Sequence, residues 1–209
     1  MINIALPKGR LGEKVYSLLA KMGYACEDYS SDSRKLIFKD SAGKVCYFWV
    51  KPSDVGVYVQ LGAADIGVIG KDILDEYQPD VYELADLNIG KCAMCVAAKN
   101  DWVDDTAMPL RVATKFVNVA EKYFISEGRD IELIKLNGSI ELAPVLGISD
   151  VIVDIVETGT TLKENDLKVF KKIFDISARL IANKTSCKFK NAEVKALTEN
   201  IKRAIEENA

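Results

Sequence analysis

Short segments rich in β-branched and aromatic residues alternate with segments of helical periodicity along almost the whole chain. This alternation favours an α/β fold with largely parallel sheets, because each helix buries its apolar stripe on the face of a sheet. The predicted strands are 2–6, 36–38, 45–50, 65–69, 81–87, 92–98, 131–136, 151–156 and 178–182, with one more ending at 112–113. The predicted helices are 11–22, 52–62, 71–77, 116–127, 140–146, 162–174 and a last one over 194–205.

The number of predicted strands bears on the domain organisation. About ten strands are many for a single sheet, so we predict two small α/β lobes. No linker rich in proline, glycine or serine separates them. The segment 87–99 instead has the character of extended chain passing from one lobe to the other, and the polar segment 100–109 is expected to be a surface loop.

Composition argues against several classes of protein. The net charge is −3 and the pI about 5.2, whereas a dedicated nucleic-acid binder carries a basic stripe. No apolar run approaches the roughly 18 residues of a membrane span, and the N-terminus has the reverse order of a secretory signal. The five cysteines fit reduced thiols better than a disulfide framework. We therefore expect a cytoplasmic protein with no nucleic-acid or membrane partner.

The chain contains no histidine, which is the commonest general base and the commonest metal ligand in proteins. Any chemistry must therefore rest on carboxylates, lysine, arginine, hydroxyls, backbone amides or a hard metal ion.

Residues 151–165, VIVDIVETGTTLKEN, join a predicted strand to a predicted helix through an acidic turn rich in threonine. One interpretation is a phosphate-binding loop, in which a glycine permits close approach and the start of the helix attracts an anion. Asp154 and Glu157 would then hold ribose hydroxyls or a magnesium ion. The other interpretation is an ordinary turn whose Thr161 and Glu164 form a capping box. The residues alone leave both open, since neither a Walker lysine nor Rossmann glycine spacing is present.

Cationic residues lie at or near other predicted strand ends. Lys8 and Arg10 follow the first strand, at the edge where open α/β sheets bind ligands. Arg34 and Lys51 bracket the hairpin predicted from strands 36–38 and 45–50. An ordinary solvated surface charge is the alternative for each of them. Polar residues also close two further strands, at 114–115 and 137–139.

Cys92 and Cys95 have the spacing of half a zinc site or of a redox pair. They lie in a predicted strand, where residues three apart point to opposite faces, and the chain offers neither a second pair nor a histidine. We therefore interpret them as buried small apolar residues.

Five segments occur in the order found in one enzyme family. They are ALPKGRL at 5–11, KPSDVGVYVQLGAADIGVIGKD at 51–72, RVATKF at 111–116, LNGSIELAP at 136–144 and VDIVETGTTLKEN at 153–165. Together they resemble the catalytic subunit of ATP phosphoribosyltransferase, in its short form. The resemblance implies the first step of histidine biosynthesis, in which N1 of ATP attacks C1 of phosphoribosyl pyrophosphate. The family requires Mg²⁺.

The resemblance also implies an architecture of two lobes, similar to a type II periplasmic binding protein, with the active site in the interlobe cleft. Lobe I would be discontinuous, formed by 1–90 plus 177–209, and lobe II, 91–176, would carry the phosphoribosyl pyrophosphate loop. Short forms work with a regulatory subunit that resembles histidyl-tRNA synthetase. A hetero-octamer containing catalytic-subunit dimers is therefore expected.

The resemblance further assigns roles to residues of this sequence. Phosphoribosyl pyrophosphate is expected on Asp154, Glu157, Thr158, Gly159, Thr160 and Thr161. The expected catalytic cations, which face the substrate phosphates and the leaving pyrophosphate, are Arg34, Lys51 and Lys8. ATP is expected on Arg10, Gly70, Asp72 and Glu141. Magnesium is expected to be held mainly by substrate phosphates, with no protein ligand assigned.

Lys51 departs from the family pattern, because many relatives have arginine there. Lysine keeps the charge but loses the planar fork that binds phosphate through two hydrogen bonds.

Two other functions are compatible with parts of this pattern. One is a phosphoribosyltransferase that acts on a free base, which would carry the acidic strand and its Thr-Gly-x-Thr turn in one continuous sheet. The other is a non-catalytic small-ligand sensor with two lobes, which offers no reason for a phosphate loop.

Overall fold

The computed structural model describes residues 1–30 and 33–207. Backbone contacts divide the chain into two compact units, one of Met1–Gly90 with the chain from Ser177 onward and one of Lys91–Ile176. Residues 208 and 209, the end of the range predicted for lobe I, lie outside the described residues. Within the described ranges, no helix is long and apolar enough to span a membrane.

The first unit is built on a six-stranded sheet with the order β2-β3-β1-β4-β11-β5. Its strands are β1 (Ile2–Pro7), β2 (Ile37–Lys39), β3 (Val45–Val50), β4 (Ile66–Gly70), β5 (Tyr82–Asp86) and β11 (Ala178–Ala182). Its helices are α1 (Arg10–Leu19), α2 (Val55–Gln60), α3 (Lys71–Tyr77), α7 (Lys184–Phe189) and α8 (Asn191–Glu206), with a π-helical segment at Ala20–Tyr24 after α1 and a 3-10 turn at Pro52–Asp54 before α2. Strand β1 runs parallel to β3 and β4, and the other pairings are antiparallel.

The core of this unit lies between the sheet and two helices from opposite ends of the chain. Val15 and Leu19 of α1 and Leu197 and Ile201 of α8 are buried in the same cluster as the apolar residues of β1. The predicted apolar face of the last helix is therefore confirmed. Gly12 permits the close approach of α1, because a Cβ there would lie 1.9 Å from the carbonyl oxygen of Pro7.

The second unit is built on a five-stranded sheet with the order β10-β6-β9-β7-β8. Its strands are β6 (Cys92–Lys99), β7 (Leu110–Thr114), β8 (Ile131–Lys135), β9 (Val151–Val156) and β10 (Leu167–Ile176). Its helices are α4 (Val117–Ser126), α5 (Leu142–Val145) and α6 (Thr160–Glu164). Strand β7 runs parallel to β8 and β9, while β6 is antiparallel to β9 and β10.

Two expectations about secondary structure are wrong. The sheets are mixed rather than largely parallel, and the predicted helix 162–174 is the end of α6 followed by β10. Asp166, with φ 55°, separates the two elements, and β10 pairs with the edge of β6 from Leu167 to Ile176. Two register irregularities interrupt this pairing, so the strand lacks the strict alternation that identifies strands in a sequence.

Candidate active site

A cavity of about 270 Å³ in the second unit collects the residues predicted to bind phosphoribosyl pyrophosphate. Its lining includes Asp154, Glu157, Thr158, Gly159, Thr160, Thr161 and Glu141. The first six lie on β9, on the loop that follows it and in the first turn of α6, whereas Glu141 immediately precedes α5. The fold therefore brings Glu141 to the same cavity from a distant part of the chain.

The loop after β9 presents unused hydrogen-bonding groups. Gly159 has φ 74°, a left-handed conformation that side-chain-bearing residues rarely adopt. The hydroxyl oxygens of Thr158 and Thr160 lie 3.0 Å apart and share a hydrogen bond. Within the described part of the chain, no backbone hydrogen bond uses the amides of Thr158, Gly159 or Thr161 as donors. The loop can therefore donate several N–H groups and hydroxyls to an anion.

The predicted capping box is wrong. The N-cap of α6 is Gly159, and Thr161 lies inside the helix, with no side-chain capping bond. Because α6 has only five residues, its dipole is a weaker attraction for an anion than a long helix would supply. The available donors are therefore the free amides of the loop and of the first turn of α6, together with the threonine hydroxyls.

Asp154 lies where β9 pairs with β6. Its carboxylate accepts a hydrogen bond of 2.8 Å from the amide of Ile155, and the side chain is half-buried. Cys95 is its direct partner across the antiparallel ladder and lines the same cavity. Burial raises the pKa of the Cys95 thiol, which keeps it protonated and uncharged beside the carboxylate. Sequence reasoning missed this cavity residue, since only the strand register places it there.

The two cysteines of the Cys-x-x-Cys pair lie in different environments. Cys95 is buried, as predicted, whereas Cys92 is partly exposed, so the interpretation of both as buried is wrong for Cys92. All five cysteines are free thiols.

The polar residues that close the other strands of this sheet have structural contacts. The hydroxyl of Thr114, at the end of β7, is buried; it donates to the carbonyl of Val153 at 2.7 Å and accepts from the amide of Phe116 at 2.8 Å. The Lys115 ammonium lies 4.8 Å from the ring centroid of Phe116. Residues 137–139 are exposed and lie outside the lining of the cavity.

The first unit places three predicted cations at one end of its sheet. Lys8 and Lys51 directly follow the parallel strands β1 and β3, and the amide of Lys8 donates to the carbonyl of Val50 at 2.8 Å. Both lysines line a second cavity, of about 410 Å³. The pairing of β2 with β3 continues to Leu36, whose carbonyl accepts from the amide of Trp49 at 2.9 Å. Arg34, two residues earlier, is carried to the same end of this strand pair as Lys51.

The remaining residues predicted to bind ATP lie at the same edge of this sheet, after β1 and β4. Arg10 is exposed at the start of α1. Gly70 precedes α3, and Asp72 in the first turn of that helix is only 8% exposed. A Cβ on Gly70 would lie 2.2 Å from a carboxylate oxygen of Asp72, so a side chain there would displace that carboxylate. A ligand role for these residues stays a prediction.

Comparison with known proteins places the chain in a family. The family model for ATP phosphoribosyltransferase matches residues 51–203. An ATP phosphoribosyltransferase from Brachyspira hyodysenteriae is 59% identical over 98% of this chain and 100% of its own length. The ATP phosphoribosyl transferase (HisG:HisZ) complex from Thermotoga maritima contains a chain with a TM-score of 0.86 and 38% identity, with 100% of both chains covered.

A more distant structure bears on the fold alone. The periplasmic aliphatic sulphonate binding protein SsuA from Escherichia coli has a TM-score of 0.61 at 13% identity, covering 98% of this chain and 68% of its own. The predicted α/β class, with a fold like that of periplasmic binding proteins, is confirmed. Because the family model matches most of its length and a relative is 59% identical over 98% of it, the chain belongs to the ATP phosphoribosyltransferase family.

Proposed function

We propose that the chain catalyses the reaction of ATP with 5-phosphoribosyl 1-pyrophosphate to give N1-(5-phosphoribosyl)-ATP and pyrophosphate, the first step of L-histidine biosynthesis. The observation that carries the proposal is the cavity of the second unit, where a half-buried carboxylate and a loop of free amides and hydroxyls meet in a chain of this family. We take the two compact units as the two lobes of the family fold.

The cavity of the second unit is proposed to bind the phosphoribosyl group. The amides and hydroxyls of Thr158–Thr161 would donate to the 5-phosphate, which is a good acceptor of several hydrogen bonds. Asp154, helped by Glu157, would accept hydrogen bonds from the ribose hydroxyls. Cys95, the uncharged cross-strand neighbour of Asp154, adds no repulsion toward the substrate phosphates.

The cations of the first unit are proposed to stabilise the leaving pyrophosphate. Lys8 and Lys51 extend from neighbouring parallel strands, and Arg34 is carried to the same end of the sheet. Positioned donors aimed at developing negative charge contribute about 3–4 kcal/mol, on the order of 10²–10³ in rate. Arg10, Gly70, Asp72 and Glu141 are proposed to contact ATP.

The reaction requires no general base, because adenine N1 attacks with its own lone pair. Carbon C1 of the ribose loses pyrophosphate through a state with oxocarbenium character, so the protein contributes positioning and charge stabilisation. The absence of histidine is therefore compatible with this chemistry.

Magnesium is proposed as the metal ion, brought to the site mainly by the substrate phosphates. Mg²⁺ in phosphate-transfer sites commonly binds one or two carboxylates plus substrate oxygens, and the cavity offers Asp154 and Glu157 for this purpose. The hard oxygen donors of the cavity fit this ion. When bound, Mg²⁺ would neutralise part of the charge on the departing pyrophosphate.

A separate regulatory subunit is proposed as the partner of this chain, corresponding to HisZ in the Thermotoga maritima complex. We propose that the two assemble as a hetero-octamer containing catalytic-subunit dimers. A cytoplasmic location is proposed because ATP and phosphoribosyl pyrophosphate are both cytoplasmic metabolites, and the free thiols are compatible with a reducing compartment.

The test uses the purified chain with its regulatory partner, ATP, phosphoribosyl pyrophosphate and Mg²⁺. Formation of N1-(5-phosphoribosyl)-ATP is expected, and Asp154→Asn should lower its rate by about 10²-fold or more while the circular dichroism spectrum is unchanged. Asp130→Asn, an exposed aspartate of the same unit, is the matched control. Transfer to guanine, uracil or orotate but not to ATP would refute the proposal. Absence of phosphoribosyl pyrophosphate binding by calorimetry would favour a non-catalytic sensor.

A further inference from the structure

The 410 Å³ cavity of the first unit, here called the α2 groove, has apolar walls that no part of the described chain covers. Leu36 and Ile37, at the start of β2, are 50% and 49% exposed, and Tyr58 of α2 is 41% exposed. All three line the groove. Large apolar side chains exposed together around one concave surface indicate a binding site rather than ordinary surface.

Asp54 is the carboxylate of this groove. It is the last residue of the 3-10 turn that leads into α2, and its own φ of −97° and ψ of −16° are helical, so its side chain is not used to cap the helix. One carboxylate oxygen accepts from the hydroxyl of Ser53 at 2.9 Å. Among the described residues, no hydrogen bond to its other oxygen is present. Tyr58, one helical turn later, lies on the same side of α2.

Lys8 and Lys51 complete the lining of the groove with positive charge. Both follow strands whose last residues are paired, Pro7 with Val50, so the two exposed lysines lie at neighbouring strand ends. An aromatic and aliphatic slot with one free acceptor and two adjacent cations matches a purine nucleotide in charge and shape. The base would lie against Tyr58, next to the pyrophosphate that the two lysines are proposed to stabilise as it leaves.

We infer that the α2 groove binds the adenine ring of ATP and that Asp54 recognises the exocyclic N6 amine. This inference rests on the proposed function and adds the determinant that distinguishes ATP from other purine nucleotides. The N6 amine carries two hydrogens, and acceptance of the one on the N7 side leaves the N1 lone pair unobstructed for its reaction. Guanine has a carbonyl oxygen at the corresponding position, which a carboxylate repels.

The experiment measures the Kd of two nucleotides by calorimetry on the complex with the regulatory subunit. One is ATP, and the other is purine riboside 5′-triphosphate, which lacks only the amine. The unaltered protein should bind ATP about 10- to 100-fold more tightly, as expected for a hydrogen bond to a charged group. Asp54→Ser keeps a small polar side chain but removes the carboxylate, and this variant should bind the two nucleotides with equal Kd. The control is Asp80→Asn, which alters an exposed aspartate of the same unit and should leave the preference for ATP over purine riboside 5′-triphosphate unchanged.

Tyr58→Leu tests the stacking surface, since it keeps an apolar side chain and removes the ring. This substitution should raise the Kd of both nucleotides about two- to tenfold. If Tyr58→Leu leaves both Kd values unchanged and alters the sedimentation coefficient, the groove is an interface between copies of the chain, and the inference is overturned.

Retention of the full ATP preference by Asp54→Ser would also overturn the inference. Product formation by the unaltered protein separates this result from failure of the proposed function. If the unaltered complex makes N1-(5-phosphoribosyl)-ATP while Asp54→Ser keeps its preference, only the adenine assignment is wrong. If the unaltered complex makes no product from ATP, the proposed function is wrong.

Discussion

Asp65 joins the two segments of the first unit, and we predict that Asp65→Ala destabilises this unit by about 3–5 kcal/mol. The side chain is 3% exposed. Its carboxylate accepts from the amide of Asn3 at 2.8 Å, from the hydroxyl of Ser186 at 2.7 Å and from the ammonium of Lys190 at 2.9 and 2.8 Å. Asn3 lies in β1 and the other two donors lie in the C-terminal segment, so one buried carboxylate binds both parts of the unit together.

The expected loss of stability follows from the hydrogen bond that each donor loses when the carboxylate is removed. Removal of the acceptor from a buried donor costs about 1–3 kcal/mol, which applies to the Asn3 amide and the Ser186 hydroxyl. The Lys190 side chain is 39% exposed and can return to water, so its ion pair is discounted to about 1 kcal/mol or less. The sum is about 2–7 kcal/mol, which is centred near the roughly 3–5 kcal/mol typical of removing one partner from a buried ion pair.

The assay is urea unfolding followed by tryptophan fluorescence, in which Trp49 reports on the first unit and Trp102 on the second. The matched control is Asp80→Ala, an aspartate 74% exposed and paired with Lys184, which should change the free energy of unfolding by less than about 0.5 kcal/mol. A loss below about 1 kcal/mol for Asp65→Ala would refute the reasoning.

The same side chain predicts a dependence on pH. Burial by itself raises the pKa of Asp65, but the hydrogen bonds from Asn3, Lys190 and Ser186 outweigh it and lower the pKa below its ordinary value of 3.8. The stabilisation is therefore complete above pH 3.8 and is lost as the pH falls through the lower pKa of the folded state. The difference in stability between the unaltered protein and Asp65→Ala should narrow only in that acidic range.

Three further substitutions test the packing and the site. Gly12→Ala should lower the free energy of unfolding by about 1–3 kcal/mol, because the new Cβ meets the Pro7 carbonyl oxygen. Gly138→Ala, at a position with open space around it, is the control and should leave the free energy of unfolding in urea unchanged. Equal effects of the two substitutions would contradict this packing. Gly159→Val should raise the KM for phosphoribosyl pyrophosphate about tenfold or more, with a smaller effect on Tm. The reason is that Gly159 has φ 74° in the phosphate loop, a conformation that valine adopts only with strain. Near-normal kinetics with the regulatory partner would show that the loop assignment is wrong. Lys51→Ala should lower kcat about 10²-fold. Lys51→Arg should retain or increase kcat, since arginine keeps the charge and can donate two hydrogen bonds to one phosphate. An unchanged kcat in Lys51→Ala would show that this residue does not contact the leaving group.

Local patterns predicted much of the fold from the residues. The hairpin formed by β2 and β3 is confirmed, because two β-rich segments flank a polar turn ending in Gly43. The helix predicted over 71–77 is α3, which begins after Gly70 and buries its apolar residues Ile73 and Leu74. Each of these features depends on residues close together in sequence.

Features that depend on distant partners were not predictable from the residues. The bulged strand β10 has helix-like spacing of apolar residues, and only the exposed edge of β6 makes it a strand. The position of Cys95 beside Asp154 is likewise a property of the strand register.

The sequence by itself determined the α/β class, the family resemblance and the threonine-rich loop of residues 158–161, because these depend on composition, periodicity and adjacent residues. Only the tertiary structure decided which carboxylates share the phosphoribosyl cavity, since Glu141 reaches it from another element. The tertiary structure also showed that Asp54 lines the α2 groove. The physical reason is that a side chain's hydrogen-bonding partners are set by the packing of elements far apart in the chain, and this packing leaves no pattern in the local sequence.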